Sequence, residues 1–194
     1  EMDGMVDPMM MEMMMEMNEG KEKGKVKVYK IADIVTPTQD EEVIPQDEEV
    51  IPLVYTPLDV AVQLGQDIDG EDAGDQSGWS VSMNQDGTIV AIGAPSNNSD
   101  SGRVRVFQYA NNAWTQLGSD IDAAASGDKN GYSVSLSSNG TILAIGATQH
   151  DTDNRGHVRI FQYANNAWTQ LGSDIDGEAA DDKNGFSVSL SSDG

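Results

Sequence analysis

The chain has 194 residues, 33 of them acidic and 11 basic, for a formal net charge of −22. A surface of that sign repels nucleic-acid phosphates and anionic lipid headgroups, so nucleic acid is argued against as a partner, and cations, basic proteins or neutral glycans are favoured. Without a cysteine it makes no disulfide, thiolate metal site or cysteine nucleophile, and no apolar run approaches the roughly eighteen residues that insert across a membrane.

Residues 1–23 are a low-complexity segment rich in Met and Glu, with nine of the ten methionines between Met2 and Met17. Asp7-Pro8 reads as the cap of a short helix running to Met17, with Asn18 and Gly20 ending it. A soft-metal site built from the thioethers is the alternative to plain sticky packing. The chain opens on Glu1 with no basic and apolar leader, so we expect a processed chain or a fragment.

Within 24–35, Gly24-Lys25-Val26-Lys27-Val28-Tyr29 repeats the pattern of Gly102-Arg103-Val104-Arg105-Val106-Phe107. It reads as the third strand of an earlier, degenerate blade. Residues 36–63 read as an acidic, proline-containing linker or insertion. Gln39 to Pro45 is followed there by an identical seven, Gln46 to Pro52, and regular proline with dense like charge keeps such a segment extended and solvated.

From residue 64 the chain repeats: 64–116, 117–170, and a third copy from 171 to 194 that holds only the start of the unit. Leu64-Gly65 returns as Leu117-Gly118 and Leu171-Gly172, at spacings of 53 and 54 residues. Phe107 to Gln116 returns unchanged as Phe161 to Gln170. Each complete copy predicts four strands. In the second these are Tyr132–Ser137, alternating with serines; Thr141–Ala147, continuously apolar; Gly156–Tyr163; and Ala167–Leu171. Ser138-Asn139-Gly140 and Asn165-Asn166 supply tight turns, the former suited to positive φ. Short antiparallel strands recurring at about fifty residues predict an all-β chain, part of a β-propeller of four-stranded blades. Apolar faces then bury by stacking blade on blade. Val81, Met83, Ile89, Ala91 and Ile92 are expected in these interfaces, with Val134, Leu136, Ile142, Ala144 and Ile145 as their counterparts. Trp114 and Trp168 are expected as core anchors, an exposed ligand platform being the alternative. Propellers close with about four to eight blades, so further blades of this or another chain are expected partners.

Gly78-Trp79-Ser80-Val81-Ser82 followed by Asp86-Gly87-Thr88-Ile89-Val90-Ala91-Ile92-Gly93-Ala94-Pro95 resembles the FG-GAP repeats of integrin α-subunit propellers and related surface proteins. The second copy matches from Gly131-Tyr132 to Ile145-Gly146-Ala147, with Thr148 in place of the proline and Asn130 or Ser77 in place of the leading phenylalanine. The resemblance implies an extracellular or cell-surface location, adhesion or assembly, and protein or glycan ligands held by blade loops. It also implies calcium between the first two strands of a blade. Here those turns, Asn84 to Gly87 and Ser138 to Gly140, are too short to supply six to eight oxygen ligands.

A second acidic set recurs: Asp67, Asp69 and Asp75; Asp120, Asp122 and Asp128; Asp174, Asp176 and Asp182. Carboxylates on alternate residues with a third nearby can hold Ca2+, or they can make Asx turns and cap backbone amides. The loops Ser96–Ser101 and Gln149–Asn154 differ between copies and are where binding is expected. His150 and His157 lack a nucleophile or ligand pattern around them and read as surface histidines; the chain reads as non-catalytic. Attachment of such a propeller to an enzyme outside this chain is the rival reading. Asn97-Asn98-Ser99 and Asn139-Gly140-Thr141 fit the glycan-acceptor triplet.

Overall fold

Side-chain alternation builds three antiparallel sheets in a computed structural model, which describes residues 11–16, 23–31, 61–149 and 153–194. Sheet I holds β1 (Met11–Glu16), β2 (Lys25–Ile31) and β3 (Ala61–Gln63) in that order, with β4 (Ile68–Asp69) also on β2. Sheet II runs β5 (Ser80–Met83), β6 (Ile89–Ala94), β7 (Arg103–Ala110), β8 (Ala113–Gln116), with β9 (Ile121–Asp122) returning to β7. Sheet III runs β10 (Asn130–Leu136), β11 (Ile142–Ala147), β12 (His157–Ala164), β13 (Ala167–Asp176). The turn between β7 and β8 places Asn111 and Asn112 at φ 51° and 63°, and Asn165 and Asn166 repeat it. Asparagine tolerates this left-handed pair, which matches the twist of a tight hairpin. In Ser138-Asn139-Gly140 only Gly140 takes positive φ; Asn139 instead accepts the Thr141 N–H at 2.9 Å.

Three sequence expectations need correction. The fourth strand does not stop at Leu171: β13 continues to Asp176 and pairs its end with the start of β12. The Asp-Ile-Asp segment therefore completes the outer edge of its own sheet: the boundary at 171 falls within β13, and those at 64 and 117 fall between β3 and β4 and between β8 and β9. Second, Met11–Glu16, expected within a helix, is strand β1, paired along β2 from Met11↔Lys30 to Glu16↔Lys25. Helix preference of Met and Glu amounts to tenths of a kcal/mol per residue. The open edge of β2 offers a full ladder of backbone bonds, and the ladder wins. The rest of that helix lies outside the described residues. Third, Ala61–Gln63, at the end of the expected linker, is a strand; the soft-metal and linker readings otherwise fall on residues outside the description. β2 pairs with β1 on one side and with β3 and β4 on the other, as β7 does with β6 and with β8 and β9.

Two apolar clusters fill the spaces between sheets. Val26, Val28 and Ile68 of sheet I meet Val90, Ile92, Phe107 and Trp114 of sheet II, flanked by Leu64, Val81, Met83 and Tyr109. Ile89, Ala91, Val104, Val106 and Ile121 of sheet II meet Val134, Leu136, Leu143, Ile145 and Phe161 of sheet III, flanked by Leu117 and Trp168. β6 is buried on both faces: odd positions point toward sheet III and even ones toward sheet I. Each fully buried aliphatic side chain contributes about 1.5–3 kcal/mol relative to exposure. Of the expected interface set, Ala144 is buried on the far face of sheet III, and Ile142 is half-buried there near Gly194. The described sheets stack face to face and do not close into a ring.

Polar latches fix the spacing of the stack. The serines of β5 face the next sheet rather than solvent. Ser80 Oγ donates to the Gly131 carbonyl at 2.7 Å, and Ser82 Oγ accepts the Leu136 N–H at 2.9 Å. One repeat on, Ser133 Oγ donates to the Gly185 carbonyl and Ser135 Oγ accepts the Leu190 N–H. Trp114 Nε1 donates to the Leu64 carbonyl at 2.8 Å, and Trp168 Nε1 to the Leu117 carbonyl at 2.9 Å. Trp79, Tyr132 and Phe186 form a ladder across the repeats, with ring centroids 5.5 and 5.2 Å apart.

Candidate functional sites on the outer strands and loops

The first residue of each third strand is basic and faces the second aspartate of its outer strand. The Cα partners are Lys25↔Asp69, Arg103↔Asp122 and His157↔Asp176. In sheet I, Lys25 Nζ lies 3.8 Å from Asp67. In sheet II, Arg103 reaches Asp120 at 3.0 Å, Asp122 at 2.7 Å, and Glu71 from the loop that follows β4. Burial disfavours the Arg103 charge, but hydrogen bonds to Asp122 and Glu71 and the charges of Asp120 and Asp122 outweigh it, holding the guanidinium above its ordinary value. In sheet III the position is His157, with no exposure, beside half-buried Asp174 and exposed Asp176. Its ligand atoms and theirs lie within 4.8 Å of one another. The first aspartate of each pair is held by the glutamine four residues earlier: Gln63 to Asp67 at 2.7 Å, Gln116 to Asp120 and Gln170 to Asp174 at 2.6 Å.

The third aspartates go elsewhere. Asp75 Oδ2 accepts the Asp72 N–H and the Asn97 side-chain amide; Asp128 Oδ2 accepts the Ala125 N–H at 2.8 Å; Asp182 Oδ2 accepts the Ala179 N–H at 2.7 Å. Each accepts from the backbone N–H three residues earlier and so closes the loop that follows its Asp-Ile-Asp segment. Among the described residues, the one cluster of three close metal-ligating side chains is His157, Asp174 and Asp176, and none of the three aspartate triplets comes together. His157, which reads as a surface histidine because no nucleophile or ligand pattern lies near it in sequence, is fully buried. The register opposite an acidic outer strand covers it. His150 lies outside the described residues.

The loop Ser96–Ser101 carries a four-residue helical turn, Asn97–Asp100, in which Asn98, Ser99 and Asp100 hold φ of 50°, 57° and 63°. Left-handed backbone is unusual for serine and aspartate. It is fixed here by Ser96 Oγ donating to Asp100 Oδ1 and by the Asp100 carbonyl, which accepts the Lys129 N–H from the next sheet. Asn97, Asn98, Ser101, Arg103 and Asp122 line one side of a polar cleft of about 290 Å³, closed by Ala123 to Ser126. A second cleft of about 270 Å³ lies between Asp120, Asp122, Arg159, Phe161 and Trp168. There Arg159 stacks on Phe161 at 5.3 Å and donates to the Asp122 carbonyl and to Asn130 Oδ1, both at 2.9 Å. Burial pushes this guanidinium below its ordinary value, opposed by the charges of Asp174 and Asp128. The amide of Asn97 is buried on Asp75 at 2.7 Å, so this triplet does not present a glycan acceptor in the folded chain. Asn139 is exposed.

Compared with known proteins, the chain matches no protein-family model and no curated sequence.

Proposed function

We propose that this chain is a stretch of FG-GAP-like β-propeller, a non-catalytic extracellular or cell-surface module whose sheets join further blade-like sheets and whose loops bind protein or glycan ligands. The observation that carries the reading is a contrast between equivalent positions. Ile68 and Ile121 are 5% and 6% exposed beneath the following sheet, whereas Ile175 is 56% exposed. Leu171 at 42% and Phe186 at 62% belong to the same uncovered end. In the interior copies the equivalent face carries a tryptophan ring, a serine latch and an aromatic rung from the neighbouring repeat. The polar cleft lined by Asn97, exposed Asn98, Ser101 and Arg103 supports loop binding of a hydroxyl-rich ligand. Strong acidity and the sequence resemblance support a surface location, and no described helix is long and apolar enough to cross a membrane.

Sedimentation velocity over a wide concentration range tests the assembly. The expected result is reversible association that weakens when Ile175 and Phe186 are both replaced by aspartate. A monomer at all concentrations for both proteins would refute mating between copies of this chain, and binding of an added tandem-repeat fragment to the wild type alone would then support mating with blades of another chain. Failure of both measurements overturns the proposal.

A further inference from the structure

Three equivalent niches, each made by two outer-strand aspartates and the first residue of a third strand, differ in one respect. Two hold a permanent side-chain cation. Lys25 stands in the first, and Arg103 bridges Asp120 and Asp122 in the second. In the third the residue is His157, a side chain with nitrogen lone pairs that lysine and arginine do not offer. We propose that His157, Asp174 and Asp176 bind one divalent transition-metal ion of the zinc type, which takes the place of the side-chain cation of the other niches. Imidazole nitrogen with two carboxylate oxygens is a donor set suited to zinc, and three protein ligands leave a fourth, water-filled position. Calcium asks for six to eight oxygens, and this niche supplies two carboxylates.

The backbone is already in place. His157 and Asp176 are direct cross-strand partners, and Asp174 precedes Asp176 by two on the same strand, so all three side chains leave one face. Gln170 donates to Asp174 Oδ1 at 2.6 Å and orients that carboxylate while leaving its second oxygen free to ligate. The ligand atoms, within 4.8 Å of one another, must close to about 3.4 Å for tetrahedral bonds of about 2.0–2.2 Å. Exposed Asp176 provides that movement and the entry path from solvent. Arg159 is a cation attracted to Asp174, but its hydrogen bonds go to the Asp122 carbonyl of sheet II and to Asn130 Oδ1 of its own sheet.

Isothermal titration calorimetry of the full chain with zinc chloride tests the site, in a large excess of calcium to occupy diffuse acidic surface. The expected result is one binding event per chain. His157→Arg reproduces the arrangement of sheet II and should keep the fold by circular dichroism while abolishing that event. Asp176→Asn, at an exposed position, should weaken it markedly, and serves if His157→Arg does not fold. Absence of zinc binding to the wild type, or an isotherm unchanged in whichever of these variants folds, overturns the assignment.

Discussion

Replacing Gly93 with alanine tests whether backbone contact sets the spacing of the stack. Gly93 has ordinary φ, so strain from left-handed backbone plays no part. A Cβ there would lie 2.1 Å from the Gly131 carbonyl oxygen and 2.3 Å from Ser80 Oγ. Contacts below 3.0 Å are not tolerated, so sheets II and III must part locally by about 0.9 Å. A gap of that size forfeits about a quarter to a half of each dispersion contact. With roughly twenty cross-sheet contacts per side chain, the loss is about 0.7 kcal/mol for each of Ala91, Val104, Val134 and Ile145, or about 3 kcal/mol together. Weakening the Ser80–Gly131 bond adds about 1 kcal/mol. Urea unfolding followed by tryptophan fluorescence measures it. Gly127→Ala is the control, because nothing lies within 4 Å and only its φ of 89° opposes alanine, at about 1–2 kcal/mol. A Gly93→Ala midpoint no lower than that of Gly127→Ala would refute the reasoning. Gly146→Ala makes the same clash, 2.0 Å from the Gly185 carbonyl, but should cost less, since that segment has no second strand behind it and moves aside.

Trp114→Phe keeps an aromatic ring but loses the N–H bond to Leu64, and should lower stability by about 1–2 kcal/mol in the same urea assay. Arg103→Met leaves Asp120, Asp122 and Glu71 facing one another. Because Asp122 is 61% exposed the cost should be near 1–2 kcal/mol rather than that of a buried pair, and molar salt should narrow the gap between variant and wild type in thermal melts. Asp128→Ala removes the acceptor for the Ala125 N–H at a carboxylate 1% exposed, with an expected loss of about 1–2 kcal/mol; calcium should leave that difference unchanged, whereas a calcium-dependent difference would return Asp128 to a metal role.

Strand content was readable because period two shows in Val134 and Leu136 against their serines, and because copies in register reinforce one another. What those serines do was not readable. A serine every second residue has the same pattern whether it meets water or a neighbouring carbonyl, and only the stacking of Gly146 on Gly185 decides. The Asp-Ile-Asp segment misled for a related reason: sequence shows recurrence but not where a unit starts, and β13 shows that it starts after Asp176. Its basic partners were hidden by distance along the chain, since Arg103 precedes Asp120 and Asp122 by a whole hairpin. A comparison of Lys25, Arg103 and His157 in one column would have exposed the pairing and the exception. The N-terminal strand was illegible because its pairing energy comes from the edge of β2 and not from its own residues.

The serine-to-carbonyl latch has a consequence for how such a chain grows. Each module carries hydroxyls on its leading face and accepts with main-chain oxygen on its trailing approach, so both halves of the joint travel with every duplicate. A freshly copied module fits between its parents without altered chemistry on either side. The ten-residue identity shared by Phe107–Gln116 and Phe161–Gln170 is what such copying leaves behind, and length becomes a quantity that recombination can adjust one layer at a time.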